Sequence, residues 1–162
     1  MAELILGIGN VLKGDDGIGV YVVEKINEYL SEISGSEQVK ATGDWKITAI
    51  DCNITPENYT SVIRKYNPGR LILVDAADMG LTPGSHRLIP PGKIGLMCIS
   101  THNMPLSLFV SYVGGYCGDI VLIGIQPERI DFGAALSGVV QKGGDEVARL
   151  IVERRLGEIE TL

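Results

Sequence analysis

Short apolar runs alternate with segments of helical periodicity along this chain. The first run leads into a glycine loop that ends in two carboxylates. Glu3 to Ile8 reads as a strand running into Gly7-Ile8-Gly9. Ile18, Val22, Ile26, Leu30 and Ile33 then fall on one face at helical spacing, until Ser34-Gly35-Ser36 ends the pattern. Trp45 to Ile50 alternates and reads as a second strand ending at Asp51. Thr55-Pro56 starts a helix, with Thr55 expected as its cap and Pro56 in its first turn. Tyr59, Val62, Ile63 and Tyr66 form the apolar face of that helix, and Asn67-Pro68-Gly69 stops it.

Leu71-Ile72-Leu73-Val74 is a continuous apolar run, as expected of a central strand covered on both faces, and it ends at Asp75. Ser85 to Ile89 reads as a short antiparallel edge strand after the turn Thr82-Pro83-Gly84, and Ile94 to Ser100 is ambiguous. Asn103-Met104-Pro105 opens a helix with Leu106, Phe109, Val110 and Val113 on one face. Asp119 to Ile125 is a further buried strand, and Leu136 to Leu156 reads as a last helix weakened by Gly143-Gly144. Such alternation predicts one domain over residues 1–162, an α/β three-layer sandwich. Its twisted, mostly parallel sheet has about five strands, one antiparallel at the edge, with helices on both faces. In sheets of this kind the site lies beyond the carboxyl ends of the strands, where Asp15, Asp16, Asp51 and Asp75 all fall.

The loop Gly7-Ile8-Gly9-Asn10-Val11-Leu12-Lys13-Gly14-Asp15-Asp16-Gly17 begins like a phosphate cradle. The third glycine of a dinucleotide fingerprint would fall at Leu12, and a P-loop frame would need Lys and Ser/Thr where Asp15-Asp16 stand. Two carboxylates there repel phosphate, so the loop points to a cation or an acid–base reaction. Asp15 or Asp16 is a good helix cap, leaving the other to face the cleft. The net charge of -6 argues against a nucleic-acid surface, which would need a basic stripe. Absence of a long apolar run argues against membrane insertion, and Met1-Ala2-Glu3 lacks the basic start of a signal peptide. Cys52, Cys98 and Cys117 form no CxxC pair and read as small core residues of a reduced cytoplasmic protein.

Of the two histidines, His86 beside Arg87 reads as a solvated surface residue, whereas His102 lies at a helix entrance near the strand-end carboxylates. Two aspartates and one histidine would make a hard-to-borderline metal site with open positions, suited to nickel or zinc. Cys98, four residues before His102, reads as buried and not as a thiolate ligand.

Three segments together resemble the hydrogenase maturation endopeptidases, which trim the C-terminal tail of nickel–iron hydrogenase large subunits. They are Gly7-Ile8-Gly9-Asn10 with Gly14-Asp15-Asp16-Gly17-Ile18-Gly19; Val74-Asp75-Ala76-Ala77-Asp78-Met79-Gly80; and Thr101-His102-Asn103-Met104-Pro105-Leu106 with Gly124-Ile125-Gln126-Pro127. The last two resemble most the branch that processes hydrogenase 3. Asp51-Cys52-Asn53 departs from the family's Asp-Gly-Gly.

The resemblance implies a metal-contacting triad of Asp16, Asp75 and His102, with Asp15 as the cap. It implies an aspartic-type or metal-assisted endopeptidase in which Asp16 and Asp75 are catalytic. The partner would be the large-subunit precursor, and the nickel would be supplied by that substrate and not be tightly resident. Either nickel polarises the scissile carbonyl or activates water, or Asp16 and Asp75 act as a general acid–base pair. A monomer or weak dimer is expected. The alternatives are a nickel-sensing chaperone that holds the precursor without cutting it, and a nucleotide-binding α/β enzyme.

Overall fold

The computed structural model describes residues 1–34, 45–98 and 104–162. Five strands form one sheet: β1 (Ala2–Ile8), β2 (Lys46–Asn53), β3 (Arg70–Ala76), β4 (His86–Leu88) and β5 (Asp119–Ile125). Their order is β2-β1-β3-β5-β4. β1 pairs in parallel with β2 and β3, and β3 with β5, while β4 runs antiparallel along the outer edge of β5. The chain leaves β1 towards β2 on one side and returns to β3 on the other. The strand order therefore reverses between β1 and β3, which opens a crevice at their carboxyl ends.

The helices are α1 (Ile18–Ser34), α2 (Thr60–Tyr66), α3 (Ile94–Met97), α4 (Leu106–Val113) and α5 (Gly138–Val152). Alternate strand residues point to opposite faces, and the core divides accordingly. Ile5, Ile72, Val74 and Ile123 meet Ile18, Val22 and Ile26 of α1 and Val140, Val147 and Ile151 of α5. Leu4, Leu6, Leu71 and Leu73 meet Ile63 of α2, Ile94 of α3 and Leu106, Phe109 and Val113 of α4. Each fully buried Leu, Ile or Phe among these contributes roughly 1.5–3 kcal/mol. This is the expected three-layer arrangement, with the expected antiparallel edge strand.

Several local expectations change. Thr55 holds the cap position, but its side chain makes no capping bond; the chain enters a 3-10 turn over Pro56–Tyr59, and α2 begins only at Thr60. Asn67 ends α2 as expected, in the left-handed region at φ 46° with its N–H on the Ile63 carbonyl. The last helix stops at Val152, short of Leu156, because Arg154 turns left-handed at φ 60° and Arg155 N–H returns to the Leu150 carbonyl. Gly143 and Gly144 do not interrupt it. A Cβ on Gly143 would lie 2.2 Å from the Gly84 carbonyl oxygen, and one on Gly144 2.8 Å from Ile18 Cδ1, so close packing requires both. His86 is half-buried in β4, not solvated, and burial lowers its pKa below the ordinary histidine value. Among the described residues no helix is long and apolar enough to cross a membrane.

Candidate active site

The glycine loop brings Asp16 back against the end of β1. Gly9 has φ 145°, and a Cβ there would lie 1.8 Å from the Asp16 carbonyl oxygen, so only glycine permits the fold-back. The turn closes through Lys13 N–H on the Asn10 carbonyl at 3.1 Å and Asp16 N–H on the Lys13 carbonyl at 3.1 Å. Asn10 N–H donates to Asp16 Oδ2 at 3.0 Å, which orients that carboxylate. Gly14–Gly17 form a 3-10 turn that runs into α1. Gly19 in the first turn of α1 touches both strands: its Cβ would stand 2.3 Å from the Val74 carbonyl oxygen and 2.4 Å from that of Ile8. The helix start therefore sits directly over the crevice between β1 and β3, and the 3-10 turn packs against β3.

Asp75 lies on β3 opposite Gly124 of β5, one residue before the strand ends. Its Oδ1 accepts the Ala76 N–H at 2.8 Å. Asp16 and Asp75 are both fully buried, each at 0% exposure. Asp75 thus stands at the carboxyl end of β3, and Asp16 in the 3-10 turn that follows β1 and packs against β3, beside the switch in strand order.

Asp15 does something other than capping. Lys13 holds the cap position before the 3-10 turn, and no side chain caps it. The Asp15 carboxylate instead accepts Glu128 N–H at 2.9 Å, Arg129 N–H at 3.0 Å, Ser137 N–H at 2.7 Å and Ser137 Oγ–H at 2.8 Å. Burial works to raise its pKa, but the bonds from Ser137, Arg129 and Glu128 outweigh it and hold the carboxyl below the ordinary aspartate value. Both aspartates still lie in the first helical turn, where the dipole favours negative charge.

Cys98 bridges to Ala77 beside this crevice, and its thiol is pushed up to about 12, by burial first and by the Asp75 charge second. A thiol so perturbed stays protonated at neutral pH. It is half-buried, as is Cys117, so only Cys52 of the three is a fully buried core residue. His102 lies outside the described residues. Among the described residues no three His, Cys, Asp or Glu side chains form a metal-ligand set, so Asp16 and Asp75 stand there as two carboxylates.

Asp51 is exposed at the end of β2, with its Oδ1 bound to the Asn53 N–H at 2.8 Å. Asn53 adopts φ 51°, a left-handed conformation that glycine takes freely and asparagine tolerates. The Asn53 carbonyl accepts Gly9 N–H at 2.7 Å and so ties this turn to the glycine loop.

Two contributors have no role in the sequence reading. Asn10 orients Asp16, and its sequence signal is its place directly after Gly9 in the first family-like segment. Gln126 is 7% exposed and holds the loop that follows Asp75: its Oε1 accepts Met79 N–H at 2.6 Å and Leu81 N–H at 3.3 Å, and its Nε2 donates to Asp78 Oδ1 at 3.2 Å. Its sequence signal is a buried-type amide at the end of a strand, followed by proline. A cavity of about 270 Å³ opens along this loop, lined by Asp78, Gln126, Glu128, Arg129 and Ile130.

Residues 20–154 match the model of the HycI hydrogenase maturation protease family. That segment contains Asp75 and begins just after Asp16. The hydrogenase 3 maturation protease of Escherichia coli K12 is 37% identical over 133 residues, covering 82% of this chain and 77% of that protein. The solution structure of the endopeptidase HycI from Escherichia coli superposes with a TM-score of 0.80 at 33% identity, covering 100% of this chain and 97% of the other. A crystal structure of a [NiFe] hydrogenase maturation protease HycI from Thermococcus kodakarensis gives a TM-score of 0.76 at 32% identity, covering 95% and 92%. With sequence and fold in agreement over nearly its whole length, the chain belongs to the hydrogenase maturation protease family and is an endopeptidase of hydrogenase maturation.

Proposed function

We propose that Asp16 and Asp75 form the reaction centre of this endopeptidase. Its substrate is the large-subunit precursor of a nickel–iron hydrogenase, from which it removes the C-terminal extension. The observation that carries this reading is a pair of fully buried carboxylates, Asp75 at the end of β3 and Asp16 in the turn after β1 that packs against β3, beside the switch in strand order. Buried carboxylates suit either proton transfer to and from water or capture of a cation.

In this reading the nickel belongs to the substrate. Asp16, Asp75 and His102 receive it when the precursor docks, so only loaded precursor is placed for cleavage. The ion then polarises the scissile carbonyl or the attacking water. Free cysteines and a net charge of -6 fit a cytoplasmic enzyme acting as a monomer or weak dimer.

The test uses nickel-loaded and nickel-free precursor side by side, with intact mass of the large subunit as the readout. Wild type is expected to shorten only the loaded form. Asp16→Asn, Asp75→Asn and His102→Ala are expected to leave it at full mass. Equal cleavage of both precursor forms would sink nickel recognition, and normal cleavage by the two aspartate variants would sink the site. Full mass with wild type would leave only the non-cleaving chaperone.

A further inference from the structure

The loop between β5 and α5 is fastened at both ends to the two carboxylate-bearing turns. At its start, Gln126 binds the segment after Asp75 from several sides. Its side-chain amide takes Met79 N–H, Leu81 N–H and Asp78 Oδ1. Its backbone N–H donates to the Ser85 carbonyl at 2.8 Å, and its carbonyl accepts Gly84 N–H at 2.8 Å. Further along, Glu128, Arg129 and Ser137 all donate to the carboxylate of Asp15, the residue next to Asp16. The Asp15 N–H returns a bond to the Arg129 carbonyl at 2.9 Å, and Gly133 N–H binds the Leu12 carbonyl at 2.8 Å.

We infer that residues 126–137 act as a strap that sets the spacing of Asp16 and Asp75, with Gln126 and Asp15 as its two positioning residues. β1 and β3 fix the strand ends, but the turn carrying Asp16 leaves the sheet after Ile8 and needs a second constraint. The strap supplies it from the far side, through β5. Neither residue touches the reacting atoms, so each acts through the carboxylate beside it. A displacement on the order of 1 Å costs about 10²-fold in rate when catalytic groups must align. This inference rests on the assignment of Asp16 and Asp75 as the reaction centre.

The experiment measures kcat and KM for cleavage of nickel-loaded precursor by full-length Gln126→Leu and Asp15→Ala. Thr48→Val serves as a control that breaks a comparable bond, Thr48 Oγ1 to Tyr66 OH at 2.7 Å, away from the site. Gln126→Glu and Asp15→Asn, which keep acceptor oxygens, are measured alongside and decide the matter if the first pair does not fold. Gln126→Leu and Asp15→Ala are expected to lose at least about tenfold in kcat, with KM within about threefold and with the protein folded at assay temperature. Asp15→Asn is expected to recover part of the loss, and Thr48→Val to match wild type. The strap is overturned if Asp16→Asn and Asp75→Asn are inactive while the folded strap variants keep wild-type kcat, or if Thr48→Val loses as much kcat as they do. Full activity of Asp16→Asn or Asp75→Asn would instead overturn the reaction centre itself.

Discussion

Asp15 and Ser137 are joined by two hydrogen bonds across 122 residues of chain, Ser137 N–H to Oδ1 at 2.7 Å and Ser137 Oγ–H to Oδ2 at 2.8 Å. With the Glu128 and Arg129 N–H groups on the same carboxylate, this one side chain anchors the β5–α5 loop to the turn that carries Asp16.

Asp15→Ala leaves three backbone donors and one hydroxyl without that acceptor. The expected loss is about 3 kcal/mol, read from urea unfolding. The native pKa of Asp15 lies below the ordinary aspartate value. Its contribution is therefore complete above the unfolded pKa and lost as the pH falls through the lower native one. Urea midpoints measured from neutral to acid pH are expected to fall less steeply for Asp15→Asn than for wild type.

Gly19→Ala forces a methyl group against the carbonyl oxygens of Ile8 and Val74 and 2.8 Å from Ile8 N. All three are sheet backbone atoms that have no rotamer to yield. The expected destabilisation is about 3 kcal/mol. Gly157→Ala, with no atom within 4 Å of the new Cβ, is the matched control and is expected to shift stability by less than about 0.5 kcal/mol. Thermal unfolding of the two variants side by side checks the difference.

Cys52 and Cys117 differ in reactivity. Burial, then the charge of Asp51, pushes the Cys52 thiol up to about 12, whereas burial raises the half-buried Cys117 less. Only thiolate reacts with iodoacetamide, so Cys117 is expected to label well before Cys52 in the native protein at mildly alkaline pH. Peptide mass mapping over time reads the order. Because the folded pKa of Cys52 is raised, its contribution to stability is full below the ordinary value of 9.0 and is lost as the pH rises from there towards about 12.

Glu3 is buried and paired with Arg70 at 3.0 Å, while the arginine reaches solvent. Burial raises the pKa of Glu3 despite the arginine, so folding disfavours its ionised form. Its contribution is fullest below the ordinary glutamate pKa and falls as the pH rises through the native value. At neutral pH Arg70→Ala strands a buried carboxylate and is expected to cost about 2 kcal/mol, less than a fully buried pair would. Glu3→Gln removes the charge and is expected to cost less than Arg70→Ala. The reverse ranking in chemical unfolding would refute this account of the pair.

Every strand was legible because apolar runs of strand length between turn residues leave few alternatives. The edge position of His86–Leu88 followed from its shortness and the glycine and proline turns around it. Helix boundaries were less legible. The first turn after Thr55 is 3-10, and α5 ends at Val152, two residues before Arg154, which has no local signal for its left-handed turn. Gly143-Gly144 suggested weakness because glycine lowers helix propensity, but close contact with Gly84 and Ile18 overrides propensity there.

The order of residue types along the chain determined the α/β layering and put Asp16 and Asp75 at the carboxyl ends of strands. Period and polarity are local properties, and they suffice for that. What holds the neighbouring aspartate, Asp15, was decided only by tertiary structure. Asp15 and Asp16 are chemically identical and adjacent, and either suits a helix start. They part because the β5–α5 loop, more than a hundred residues away in sequence, brings its N–H groups to one of them and surrounds it with donors. The other carboxylate accepts the Asn10 N–H instead.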